Sequence, residues 1–118
     1  MEHLISLLFF ARDITHREHL KTNSYAQHMA LNGFYNDIVD NADAIAEAYQ
    51  GKYGLLSNMA IIGNTGDISI INELNGQLKW IKENRYKICS KDDTAIQNLI
   101  DGAEETYLST LYKLRFLS

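Results

Sequence analysis

Residues 25–50 read YAQHMALNGFYNDIVDNADAIAEAYQ, and the fold turns on how that stretch is read. Leu31, Phe34, Tyr35, Ile38, Ala42, Ile45 and Tyr49 recur by threes and fours, a spacing that gathers them on one face of a helix with 3.6 residues per turn. The carboxylates Asp37, Asp40, Asp43 and Glu47 are interleaved with them. The pattern predicts a helix from about Ser24 to Gln50, with Thr22-Asn23-Ser24 as the break and cap ahead of it and Gly51 as its stop.

The same period extends in both directions. Upstream, Leu4, Leu7, Leu8, Ala11 and Ile14 predict a helix from about Glu2 to Lys21. Downstream, Lys52 to Asp67 holds Gly54, Gly63, Asn64 and Gly66 among Leu55, Leu56, Met59, Ile61 and Ile62. That mixture predicts a packed crossover with room for a short helix of its own, joining two helices that run in the same direction. A third helix follows from about Ser69 to Cys89 on Ile71, Leu74, Leu78, Ile81 and Ile88. A fourth runs from about Asp93 to Leu117, capped by Asp92 or Asp93, on Ile96, Leu99, Ile100, Ala103, Tyr107, Leu111, Leu114 and Leu117. Each helix has one apolar face, so the faces must cover one another. The expectation is an all-α, four-helix bundle filling residues 1–118 as one domain. The absence of proline suits long unbroken helices.

Composition narrows the function classes. A net charge of −4 argues against general DNA binding, which calls for a basic patch, so a nucleic-acid partner is not expected. The apolar run Leu4 to Ala11 is far shorter than the roughly 20 residues that span a bilayer, and Glu2 and His3 precede it where a signal peptide would be basic. A single cysteine, Cys89, allows no internal disulfide and reads as structural. These features together predict a cytoplasmic protein without a membrane partner.

The chemistry concentrates between Thr15 and Gly51, which holds His16, His19 and His28 as well as the carboxylates. At 100° per residue, His28, Asn32, Val39, Asp43 and Glu47 lie within about a quarter turn, bordering the apolar stripe. Two carboxylates one turn apart repel unless something positive lies between them. A cation with imidazole ligands is one solution, and Arg17 or another basic side chain is a second. A solvated helix face or interhelical ion pairs are the plain structural readings of the same residues. His16, His19 and His28 could instead hold zinc, although no general base is evident beside them. Tyr25, Phe34, Tyr35 and Trp80 read as core and interface filler, and Gly63 to Asp67 as a turn. The Glu-x-x-His pair of di-iron carboxylate bundles and the His-Glu-x-x-His zinc-protease pattern are both missing.

His16, a second histidine twelve positions on at His28, and then Asp43-Ala44-Ile45-Ala46-Glu47 resemble the ferroxidase region of the Dps mini-ferritins. The phrase IVDNADAIAE is similar to that family's second helix, and DDTAIQNLIDGAEETYLSTLYKLRFL to its last. There is a fainter likeness to small proteins of tailed bacteriophages. The resemblance implies a ferritin-like fold and a homo-oligomer, at least a twofold dimer. It implies iron held between subunits, with His16 and His28 of one facing Asp43 and Glu47 of the other, and Asp40 and Asn32 just outside. Such a site would bind Fe(II), oxidise it with oxygen or peroxide and store the product. Three features depart from the family. Asn32 stands where a carboxylate is usual, Arg17 follows the first histidine in place of a tryptophan, and no basic tail precedes the first helix. The first two weaken the expected ferroxidase competence and the third the case for DNA protection. The rival expectation is a non-catalytic helical bundle that serves protein partners.

Overall fold

A computed structural model describes residues 1–118 as four helices and no strand: α1 (Glu2–Lys21), α2 (Tyr25–Tyr53), α3 (Ile70–Ile88) and α4 (Thr94–Phe116). One cluster of 20 buried residues draws on all four helices, so they share a single core. At its centre Phe34 of α2 meets Tyr107 of α4 edge to face, with ring centroids 5.0 Å apart. The predicted apolar rows supply most of this core. Leu7, Tyr49, Ile71, Ile88, Leu99 and Leu114 are half-buried at its margin, and Tyr35 is half-buried against the rings of His16 and His19. Leu117 is exposed because α4 ends at Phe116, while Ile5, outside the predicted row, is wholly buried.

α1 and α2 form a hairpin closed by Thr22 to Ser24, where the Ser24 hydroxyl accepts the Gln27 amide at 3.2 Å and caps α2. α2 does not stop at Gly51. It runs on to Tyr53 and ends at Gly54, whose φ of +96° suits glycine alone. The extra turn carries Lys52 and Tyr53 to Asp93 at the head of α4. Asp93 stands at the expected cap position, yet its carboxylate caps nothing. It receives Lys52, Tyr53 and the Cys89 thiol (Sγ to Oδ2, 2.9 Å), tying the ends of α2 and α3 to the start of α4.

The crossover, residues 54–69, contains no helix of its own. It is fastened to α1 by side chains instead. The Ser57 amide and hydroxyl both donate to Glu2 at 3.0 Å, Arg17 donates to the carbonyls of Asn64 (2.9 Å) and Gly66 (3.4 Å), and Lys21 reaches Asp67 at 3.4 Å. The strap therefore climbs α1 from its first residue to its last and delivers α3 to the end where α2 began. α3 runs parallel to α2, as a long connection requires, and α4 returns antiparallel beside α2, where the Thr106 hydroxyl donates to Asn41 at 2.7 Å. The Ser57 amide first, then Glu2's own backbone amide and the Ser57 hydroxyl, hold the Glu2 carboxyl down at about 2. No helix is long and apolar enough to cross a membrane.

Candidate functional site

Three of the four histidines gather at the α1–α2 turn, while His3 lies at the start of α1 beside Trp80. His19 is buried, and its Nδ1 donates to the His28 carbonyl at 2.7 Å, while His28 Nδ1 donates to the His19 carbonyl at 3.0 Å. The two rings stack with centroids 3.6 Å apart. A carbonyl can only accept, so each Nδ1 carries its proton and, in a neutral ring, each Nε2 keeps a lone pair. His16 is exposed and lies flat on Tyr35, centroids 4.3 Å apart, and the Tyr35 hydroxyl donates to Asn32 at 2.8 Å. Asn32 is thus engaged as a partner of Tyr35.

Asp43 and Glu47 lie in the far half of α2. Their distance from His28 follows from the helical rise of about 1.5 Å per residue, which puts Asp43 about 22 Å along the axis. Within one chain the four proposed ligands do not meet, and no three His, Cys, Asp or Glu side chains converge to hold a metal ion. A zinc site built from His16, His19 and His28 of one chain has no such convergence. His19 and His28 each spend one nitrogen on the other's backbone.

Arg17 does not neutralise the carboxylates, contrary to that expectation. It pairs with Glu18 at 3.1 Å and with the crossover carbonyls, on the outer side of α1. Asp37, Asp40, Asp43 and Glu47 are all exposed, and no lysine or arginine of the chain forms an ion pair with any of them.

Two polar clusters were not foreseen from the sequence. Arg85 of α3 is buried and donates to Gln97 Oε1, to the Gln97 carbonyl and to Glu104, each at 2.8 Å, and it pairs with Asp101 at 2.7 Å. Gln97 Nε2 answers by donating to the Arg85 carbonyl at 3.2 Å and the Cys89 carbonyl at 2.9 Å. Burial alone would lower the Arg85 pKa, but Asp101 and Glu104 outweigh it and raise it. In the core, the Tyr107 hydroxyl donates to Gln77 at 2.6 Å, and Gln77 in turn donates to Glu73 at 3.1 Å. Burial first, and the Glu73 charge second, push the Tyr107 hydroxyl well above its ordinary range. The one sequence signal for either cluster was a charged or amide residue falling on a predicted core face.

Together these features define an all-helical protein with His16, His19 and His28 at the turn of its first hairpin and the unpaired Asp43 and Glu47 further along α2. A family profile matches residues 19–114, described as a family of unknown function (DUF5856). The match covers α2, α3 and almost all of α4, so the chain belongs to that family. No curated protein and no solved structure matches the chain.

Proposed function

We propose that this protein is a ferritin-like, Dps-like iron binder whose site is completed by a second copy of the chain. His16 and His28 of one copy would face Asp43 and Glu47 of the other. The observation that carries the reading is the unneutralised pair Asp43 and Glu47 in the far half of α2, with His16 and His28 at the turn of the hairpin. A twofold axis crossing α2 midway between His28 and Asp43 brings each end level with its complement. The donor set fits the cargo. His28 has its Nδ1–H anchored on a carbonyl and its Nε2 free, the arrangement typical of a metal-ligating imidazole. Two carboxylates with imidazoles form an O/N set suited to Fe(II). Bound Fe(II) would be the substrate, giving up an electron to oxygen or peroxide, and Asn32 in place of a carboxylate favours binding over rapid oxidation.

Anaerobic Fe(II) titration by calorimetry tests this with two double variants, His16→Ala/His28→Ala and Asp43→Ala/Glu47→Ala. Each should lose saturable binding. Mixed and allowed to exchange, they should regain about a quarter of the wild-type sites, since half the random dimers carry one intact site of two. A site within one chain cannot be restored by mixing. Wild-type binding by the carboxylate variant would end the proposal. The second reading, a non-catalytic helical protein that works by docking, draws on the exposed side of α4.

A further inference from the structure

α4 carries a second row of residues, on the side away from the core. Asp101, Glu105, Leu108, Tyr112 and Arg115 follow one another by fours and threes, and all five are exposed. That spacing is the seam of a two-helix coiled coil, here without a partner. Leu108 is 51% exposed, Tyr112 55% and the neighbouring Phe116 72%, so the helix presents large apolar groups to water. The row is also graded in charge. Its first half is acidic (Asp101 and Glu105), its middle apolar (Leu108 and Tyr112), and its end basic (Arg115).

We infer that α4 pairs antiparallel with α4 of a second copy about a twofold axis at Leu108. The register follows from the helix itself. Asp101 precedes Leu108, and Arg115 follows it, by the same distance of about 10 Å at 1.5 Å per residue. An antiparallel pair centred on Leu108 therefore sets Arg115 of each copy level with Asp101 of the other, with Glu105 one turn further in. Leu108 meets its own counterpart, and Tyr112 lies beside Glu105 of the opposite chain. The arrangement is isologous, each contact occurring twice. A parallel pair would place acid on acid and base on base. Asp101 already gives one oxygen to Arg85, yet its side chain remains 61% exposed, and Glu105 and Arg115 form no ion pair within the chain. The charge gradient thus selects a second copy, in one orientation, as the occupant of this face. The surface is distinct from the one that would share iron, since it lies on α4 and contains none of His16, His28, Asp43 and Glu47.

Sedimentation velocity at about 10 to 200 μM tests the pairing in metal-free buffer, with circular dichroism as a check on helix content. Leu108→Glu should keep full helicity and abolish the α4 dimer. Arg115→Glu sets three acids together at each end and should weaken association more than about tenfold. Adding Glu105→Arg to Arg115→Glu restores an opposite charge across the seam and should recover most of that loss. Asp43→Ala/Glu47→Ala should dimerise like the wild type, which separates this face from the iron site. A wild type that stays monomeric throughout, or a Leu108→Glu variant that associates as the wild type does, overturns the inference. Equal weakening by Arg115→Glu with and without Glu105→Arg would overturn the antiparallel register.

Discussion

The two hairpins of this molecule are locked by the same device made from different chemistry. In the first, His19 and His28 each donate a ring N–H to the other's backbone carbonyl across the α1–α2 turn. In the second, Arg85 donates to the Gln97 carbonyl and Gln97 to the Arg85 carbonyl across the α3–α4 turn. Both clasps are reciprocal, and both join side chain to main chain. They differ in charge. The histidine clasp can be made by two neutral rings lying face to face, so it needs no counter-ion. The arginine clasp buries a permanent cation and must bring Asp101 and Glu104 to it. A neutral clasp leaves lone pairs available for other ligands, whereas a charged one is closed on itself. That contrast places the candidate chemistry on the first hairpin and the structural lock on the second.

The contrast can be broken or sharpened by mutation. The largest effect is expected from Arg85→Met, which keeps the apolar stem and strands Glu104 and Gln97. A loss of about 3 kcal/mol in urea unfolding is expected, at the lower end for a broken buried pair because Asp101 remains in contact with water. A loss below about 1 kcal/mol would mean that the clasp is ornamental. His19→Phe comes next. It keeps a ring on His28 and removes one hydrogen bond, so a loss of about 1 to 2 kcal/mol is expected in the same assay. If it equals the loss in Arg85→Met, the two clasps are not energetically distinct.

The smallest effect at neutral pH should come from Tyr107→Phe, which severs the tie to Gln77 inside the second hairpin at a cost of about 1 kcal/mol. Its pH dependence has a definite sign. The hydroxyl titrates higher in the folded state than in the unfolded chain, so its contribution is complete below about pH 10 and is lost as pH rises beyond that. Thermal melts from pH 8 to 11 should therefore show a steeper alkaline decline for the wild type than for Tyr107→Phe. Parallel curves would remove Tyr107 from the account.

The four helices were legible because their signal is periodic and local. Leu31, Phe34, Ile38, Ala42 and Ile45 all enter the core from the row that their spacing describes. The direction of the crossover was also readable, from its length. What could not be read depends on partners distant in sequence. Gly51 looked like a helix stop, and the reason α2 passes it is Asp93, some forty residues on. Arg85 follows Ile81 by four on the core face of α3, but only the fold brings Gln97 and Glu104 around it. In the candidate site, sequence spacing put His16 and His28 together at one end of the hairpin, as the fold does. It could not reveal that His19 and His28 clasp each other, or that Arg17 is spoken for by the crossover. Whether Asp43 and Glu47 meet the histidines depends on a second chain, and spacing within one chain carries no information about that.

The crossover bears on how the chain could be divided. Between Ser57 and Ser69 its backbone donates no hydrogen bond to any other part of the main chain, and its ends are held by Glu2, Arg17 and Lys21. A break at its middle would therefore forfeit none of the ladder that stabilises the helices. Each half would still be a finished hairpin with its own clasp and its own apolar face awaiting the other. Seen this way, the strap contributes proximity more than structure: it keeps two separately closed units at high local concentration, and the single core is the interface between them.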